Sequence, residues 1–151
     1  MKAHCDAQSH RPESLADLTE RLRARARKVT GPRQAILDLL RRQRHPLSNR
    51  EIWRALPPSD CNLATIYRAI HLLERLGMVK RFDFGDGVAR FELVREGDDG
   101  HHHHLVCTVC ASVVEIADCF PVEWERQIAK EHGFGSVTQK LEFFGVCPKC
   151  Q

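Results

Sequence analysis

The sequence lacks any apolar run of the roughly 20 residues that a membrane-spanning helix requires. The segment from Met1 to Gln8 also lacks the apolar core of a secretory signal. We therefore expect a cytosolic protein with no membrane partner. In a reducing cytosol, seven cysteines are more typical of metal ligands or redox thiols than of structural disulfides.

The motifs of common zinc enzymes are absent as well. The chain has no H-E-x-x-H, and no histidine in the run 101–104 is followed two residues later by glutamate, as the H-x-E motif of nucleobase deaminases requires. We therefore predict that the protein is not an enzyme.

Charge is distributed unevenly between the two halves of the chain. Residues 1–82 contain 17 Lys and Arg against 8 Asp and Glu, a net charge of +9, whereas residues 83–151 contain 6 against 12, a net charge of −6. A basic half indicates a polyanionic partner such as nucleic acid. The alternative is that arginine-rich helices are simply solvated, and charge alone does not decide between the two.

The first half has the pattern of four short helices followed by a hairpin. Residues 1–12 are expected to form a loose tail, and apolar residues then repeat at helical spacing over 14–29. Ser48-Asn-Arg-Glu51 has the form of a capping box, and a further helix is predicted over 62–77. Two alternating runs flank Gly85-Asp-Gly87, which predicts a β-hairpin. This order is that of a winged helix-turn-helix.

The second half is predicted to be a small α/β unit. Residues 95–100 are polar and glycine-containing, and they are predicted to be a hinge linker. Beyond them we predict strands near 102–109 and 112–117, a helix near 121–132 and a strand near 137–146. The predicted fold class is α+β, with a winged-helix DNA-binding domain at 1–94, the linker at 95–100 and a small α/β domain at 101–151.

Four cysteines form two C-x-x-C pairs, Cys107-Thr-Val-Cys110 and Cys147-Pro-Lys-Cys150. Each pair places two thiolates on one tight turn, and together they complete a tetrahedral zinc shell with bonds of about 2.3 Å. Four thiolates leave no open position, so the predicted zinc is structural. Redox thiols are the alternative, although redox pairs usually begin a helix and these end strand-like runs. We expect Cys5, Cys61 and Cys119 to be inert.

A run of four histidines, His101 to His104, leads directly into the first cysteine pair. In a strand, His102 and His104 would point to one face, and His101 and His103 to the other. Imidazoles combined with carboxylates suit Fe(II), Mn(II), Zn(II) or Co(II), so the run could form two metal sites. The carboxylates available to them are Glu92, Glu115 and Glu123.

These motifs, together with Asn62-Leu-Ala-Thr-Ile-Tyr-Arg68 and Val114-Glu115, resemble the ferric uptake regulator superfamily over about residues 15–150. The resemblance implies a metal-dependent transcriptional repressor that binds an inverted-repeat operator in double-stranded DNA as a homodimer. It makes 101–151 the zinc-containing dimerisation and metal-sensing domain. It favours Fe(II)-dependent control of iron uptake genes.

A zinc-responsive uptake regulator of the same superfamily is the alternative, because Pro121-Val-Glu-Trp and Glu131-His-Gly-Phe resemble segments of some zinc regulators. Against it, no cysteine lies between Met78 and His104, where zinc sensors often place one. Manganese- and peroxide-responsive regulators are less favoured, since the peroxide branch typically has aspartates where this chain has glutamates.

The resemblance also implies a role for each site residue. The structural zinc ligands would be Cys107, Cys110, Cys147 and Cys150. The regulatory metal, Fe(II) or alternatively Zn(II) or Mn(II), would be bound by Glu92, His102, His104 and Glu115, with His45 a further candidate that is offset by about one residue. A second site would contain His101, His103 and Glu123, but the histidine that often completes it is Gln139 here.

The predicted DNA contacts lie in the basic half of the chain. The resemblance implies contacts from Lys28, Arg33, Tyr67 and Arg68. Independently, Thr65 and Arg68 lie off the apolar stripe of their helix, on a face that could enter a major groove about 12 Å wide. For Tyr67, a packing role in the core is the competing interpretation.

Overall fold

The computed structural model describes residues 13–25, 27–43, 45–59, 61–95, 103–116, 123–137 and 141–151. The predicted tail at 1–12, most of the linker, His101 and His102 lie outside the described residues. The chain divides into two compact units, which contain the described residues 13–95 and 103–151. No helix among the described residues is long and apolar enough to span a membrane.

The described residues form five helices and two separate three-stranded sheets, which confirms the α+β prediction. The described part of the first unit contains α1 (Leu15–Ala24), α2 (Gly31–Arg42), β1 (Leu47–Ser48), α3 (Asn49–Ala55), α4 (Leu63–Arg75), β2 (Val79–Asp83) and β3 (Ala89–Leu93). That of the second unit contains β4 (His103–Cys107), β5 (Val113–Ile116), α5 (Glu123–His132) and β6 (Glu142–Gly145).

Side-chain caps fix where the helices of the first unit begin. The predicted capping box of α3 is confirmed, because the Ser48 amide donates to the Glu51 carboxylate at 2.7 Å and the Glu51 amide donates to Ser48 Oγ at 3.3 Å. The Asn62 side chain caps α4 by accepting from the Thr65 amide at 2.9 Å. These bonds satisfy amides that have no partner within the helix.

The first helix is shorter than its apolar pattern predicts. It ends at Ala24, whereas helical spacing continues to Val29. Arg25 caps the helix with a φ of −88° and a ψ of 20°, outside the helical region, and its amide donates to the Arg23 carbonyl, so α1 ends there. Val29 nevertheless packs against the core, which explains why its spacing looks helical.

The hairpin forms as predicted and belongs to a sheet of order β1-β3-β2. Both pairings are antiparallel, and Gly85 and Gly87 adopt positive φ values of 81° and 74° in the turn between β2 and β3. The sequence did not predict β1, which is only two residues long. Helices α1 to α4 close over a core of buried aliphatic side chains, among them Ile36, Leu40, Ile52, Ile66 and Ile70.

The second unit has a sheet of order β5-β4-β6, and its described residues bury few apolar side chains. Strand β4 is antiparallel to β5 and parallel to β6. Among the described residues of this unit, only His103, His104, Val106 and Cys107 are buried, and α5 has no buried residue. Apolar burial alone therefore stabilises this unit weakly.

Arg21 connects the start of α1 to the end of the wing strand β3. Its Nη1 atom lies 2.7 and 2.9 Å from the two carboxylate oxygens of Glu13 and donates to the carbonyl of Val94 at 3.1 Å. The side chains of Arg21 and Glu13 are 14% and 9% exposed. Because this pair is largely shielded from water, its loss should cost more than that of a surface pair.

We predict that Arg21→Met lowers the free energy of unfolding by roughly 2 kcal/mol, because the Glu13 carboxylate is left largely buried without its cation. Arg23→Met is the matched control, since the Arg23–Glu20 pair on the same helix is 60% and 70% exposed and should contribute less than about 0.5 kcal/mol. Urea unfolding followed by circular dichroism measures both. If both substitutions lowered the free energy of unfolding equally, burial would not determine how much each ion pair contributes to stability.

Candidate metal centre and DNA-binding helix

The second unit brings all four paired cysteines together. Cys107 is the last residue of β4, and Cys147 follows β6 by two residues. One Sγ atom from each of Cys107, Cys110, Cys147 and Cys150 lies within 4.8 Å of the other three. The Sγ atoms of Cys110 and Cys147 are 3.7 Å apart. A tetrahedral zinc with bonds of about 2.3 Å separates its sulfur ligands by about 3.8 Å, so the cluster fits that ion.

Backbone amides direct the chemistry of these thiols. Amide hydrogen bonds at Cys110 and then Cys147 lower the pKa of Cys107 to about 6, and the amide of Cys147 lies 3.4 Å from Cys107 Sγ. Hydrogen bonds from its thiol to Cys147 and Cys110 raise the pKa of Cys150 to about 12. Four thiols this close share protons, because four negative charges without a cation would repel. A bound divalent cation would offset the repulsion among four thiolates.

Each cysteine pair lies on a tight turn that positions its thiols. The Ala111 amide donates to the Cys107 carbonyl at 2.9 Å, and the Cys150 amide donates to the Cys147 carbonyl at the same distance. Ala111 has a φ of 57°, a left-handed conformation that is uncommon for residues other than glycine. The Thr108 amide donates to the Gly145 carbonyl at 2.9 Å, which joins the first turn to the end of β6.

The sheet register brings His104 beside Glu115, two residues that were expected to share the regulatory metal. They are paired across β4 and β5, and paired residues point to the same face of a sheet. His104 is 1% exposed. Glu142 of β6 is paired with His104 on its other side, and no motif predicted this neighbour. Only the strand register reveals Glu142, since it lies 38 positions further along the chain.

The expected second site is only partly within the described residues. His103 is buried, and its Nδ1 atom lies 3.3 Å from the carbonyl oxygen of Leu141. Since a carbonyl oxygen can only accept, Nδ1 is the donor in this contact. Glu123 is exposed at the first residue of α5. Among the described residues, only the four cysteines form a group of three or more ligand atoms close enough to share a metal ion. His103 and Glu123 belong to no such group.

The remaining expected ligands of the regulatory metal belong to the first unit. Glu92 lies on β3 and is buried, and it is paired across the hairpin with Lys80. His45 precedes β1 and is partly buried. The structure therefore places Glu92 at the end of the wing strand, three residues before the described part of the unit ends.

Helix α4 presents the side chains expected to contact DNA. Its buried face consists of Ile66, Ala69, Ile70 and Leu73. Arg68 is exposed, and its Nη2 donates to Thr65 Oγ1 at 3.3 Å. Tyr67 is 51% exposed, so the competing interpretation that it packs in the core is wrong.

The two other predicted DNA contacts lie at the start of α2. Arg33 is partly buried, and its Nη1 donates to the carbonyl of Lys28 at 2.6 Å. Lys28 itself is exposed. The pair adds positive charge beside a helix that packs against α4.

A model of the ferric uptake regulator family matches residues 24–144, which is most of the chain and covers the greater part of each unit. The chain belongs to the ferric uptake regulator family. Regulators of this family are metal-responsive, DNA-binding transcriptional repressors, and they are dimers.

Individual relatives agree with the family. The chain is 38% identical over 128 residues to the ferric uptake regulation protein of Bordetella parapertussis, covering 82% of this chain and 89% of the relative. The ferric uptake regulator of Vibrio cholerae, whose crystal structure is known, is 31% identical in sequence to this chain. The two structures align with a TM-score of 0.73 over 87% of this chain and all of the Vibrio cholerae chain. A zinc-bound manganese uptake regulator is 32% identical with a TM-score of 0.68, covering 86% of this chain and 98% of that one.

We predict that Cys107→Ser lowers the zinc content of the purified protein from about one ion per chain to near zero, because three thiolates bind zinc much more weakly than four. Cys61→Ser is the matched control, since Cys61 is a buried cysteine of the first unit and should leave the zinc content unchanged. Elemental analysis after dialysis measures both. Retention of a full equivalent of zinc by the Cys107 variant would show that the cysteines do not bind it.

Proposed function

We propose that the protein is an Fe(II)-dependent repressor of iron uptake genes that binds its operator as a homodimer in the cytosol. The observation that carries the proposal is a strand with two kinds of donor. The buried imidazoles of His103 and His104 lie at the start of β4. The cluster of four cysteines lies at its end. Soft sulfur donors and mixed nitrogen and oxygen donors select different cations, so one strand can hold a permanent and an exchangeable metal.

The thiolate cluster is assigned to structural Zn(II). Four sulfur donors at tetrahedral spacing leave no position for a substrate or an exchangeable ligand. Cys107, Cys110, Cys147 and Cys150 would hold the ion, joining the end of β4 to the segment that follows β6. Because the unit has few buried apolar residues, binding here would supply much of its folding free energy.

The regulatory site is assigned to Glu92, His102, His104 and Glu115, with His45 as a further candidate. A divalent cation bound there would be held by carboxylate oxygens and imidazole nitrogens, the ligands that suit Fe(II), Mn(II) and Zn(II). Glu92 is carried by the wing strand, whereas His104 and Glu115 are carried by the sheet of the second unit. Ligands on two units joined by a linker would favour one arrangement of the units over others, in proportion to their preference for the metal-bound state.

The dimer is assigned to the apolar surface of the second unit. Leu105 and Val114, which pair on one face of the sheet, are 40% and 58% exposed, and Trp124 and Phe134 on and after α5 are 60% and 70% exposed. An apolar groove of about 140 Å³ runs along the sheet beside the cysteines. Exposed apolar area of this extent is typical of a surface that another subunit covers, and relatives of this family are dimers.

DNA binding is assigned to the exposed face of α4, with Thr65, Tyr67 and Arg68 directed to the major groove and Lys28 and Arg33 to the backbone. The helix-turn-helix order and the exposure of Tyr67 and Arg68 support this assignment. A symmetric dimer presents two such helices, which matches an inverted-repeat operator.

Fe(II) is preferred as the regulatory metal because relatives that are 33% to 38% identical are named ferric uptake regulation proteins. Zn(II) and Mn(II) are the competing candidates, since a zinc-bound manganese uptake regulator is similarly related. Operator affinity measured at buffered free Fe(II), Mn(II), Zn(II) and Co(II), on protein that retains its tight zinc, tests the choice. Activation by Zn(II) alone at low free concentration would contradict the iron assignment.

We predict that Glu92→Ala and His104→Ala each abolish the increase in operator affinity caused by the regulatory metal, because each removes a ligand from one of the two units. Zinc content should stay at about one per chain, since the thiolates are untouched. His132→Ala is the control, because this exposed histidine ends α5. Fluorescence anisotropy with labelled operator measures the response, and metal-dependent binding by either variant would refute the site.

We predict that Arg68→Ala weakens operator binding by roughly 10- to 100-fold, because a base-contacting arginine typically contributes about 1–3 kcal/mol. Metal binding should be unchanged. Arg42→Ala is the control for loss of positive charge, since Arg42 is exposed at the end of α2 and paired with Asp38. If Arg68→Ala binds the operator no more weakly than Arg42→Ala, Arg68 has no specific role in recognition.

A further inference from the structure

Three side chains form one row across the sheet of the second unit. The register pairs His104 with Glu115 on β5 and with Glu142 on β6, and all three side chains lie on the same face. Neighbouring strands are about 4.8 Å apart, so Glu115 and Glu142 occupy the positions on either side of His104 in the sheet. Glu142 has no role in the family-based ligand set.

The row is negatively charged and partly withdrawn from water. With a neutral imidazole its charge is −2, His104 is 1% exposed, and both Nε2 of His104 and Oε1 of Glu142 are shielded from solvent. The adjacent row on this face consists of Val106, Val113 and Phe144, so it supplies no positive charge. Carboxylates in such surroundings favour a cation or a hydrogen-bond donor.

Glu142 is placed to act on His104 rather than to bind the ion itself. The ligand set that we propose for the regulatory metal contains His104 and Glu115 but not Glu142, so Glu142 is left to support the histidine beside it. A metal-binding histidine commonly donates its other ring N–H to a carboxylate, which fixes the ring and makes it a stronger donor. Glu142 is paired with the buried His104, so its carboxylate is in position to accept such a hydrogen bond.

We propose that Glu142 is a positioning residue for His104 at the regulatory metal site. Its carboxylate orients the imidazole and adds negative charge that strengthens divalent-cation binding. This inference rests on the proposed function, because it requires His104 to be a ligand of the exchangeable metal. It adds a residue of β6, the strand that leads to the second cysteine pair, to the metal-sensing site.

The test is a Co(II) titration of zinc-loaded protein followed by the visible absorption of Co(II). Glu142→Leu should weaken Co(II) binding roughly 10- to 100-fold, as expected for loss of a carboxylate behind a ligating histidine. Glu142→Gln should weaken it by only about three- to tenfold, because its amide oxygen still accepts a hydrogen bond but carries no charge. Glu131→Leu is the matched control on α5, where Glu131 is exposed, and should bind Co(II) normally.

Two further measurements separate the possible failures. If Glu142→Leu and Glu142→Gln both bind Co(II) with normal affinity while His104→Ala does not, the role of Glu142 is refuted and the regulatory site stands. If His104→Ala also binds normally, the regulatory site itself is misassigned. Should Glu142→Leu lose its cysteine-bound zinc, Glu142→Gln decides: weaker Co(II) binding with an altered absorption spectrum and full zinc content supports the proposal, and an unchanged titration overturns it.

Discussion

The closeness of four thiols at the end of β4 is the constraint on which the second unit depends. The first unit folds around a continuous aliphatic core, but the described part of the second unit buries only a few side chains and none on α5. Four sulfurs within 4.8 Å repel one another when they ionise, and a tetrahedral cation turns that repulsion into attraction. We therefore expect folding of this unit to be coupled to metal binding.

This constraint also places the sensing residues. Strand β4 is five residues long, with His103 and His104 at its start and Cys107 at its end. A shift of one residue in its pairing would move His104 to the opposite face of the sheet. A metal that joins Cys107 to the cysteines after β6 would fix the register between β4 and β6. The same register pairs His104 with Glu142. A metal held by the four cysteines would therefore fix the strand register on which the proposed regulatory site depends.

Features that depend on neighbouring residues could be predicted from the sequence, and features that depend on distant ones could not. The capping box at Ser48, the glycine turn of the hairpin and the two cysteine turns are local, and all are present. The extent of α1 was overestimated because Val29 packs against the core from outside the helix. Residue spacing cannot distinguish these two ways of burying a side chain.

The candidate site shows the same limit. Cysteine spacing predicted a shared ligand group because each pair lies on one turn, and the family resemblance supplied His104 and Glu115. Glu142 could not be found, since its relation to His104 arises from a parallel pairing between strands that are far apart in sequence. Tyr67 was ambiguous because its spacing on α4 suits either face, and its 51% exposure decides between them.

Hydrogen exchange measured by mass spectrometry, before and after a strong chelator removes the cysteine-bound metal, tests most directly whether the thiolate cluster holds the second unit together. Amides of β4 and β6 should lose most of their protection on metal removal, whereas those of α2 and α4 should keep theirs. Unchanged protection of β4 and β6 in protein shown by elemental analysis to be metal-free would contradict the account.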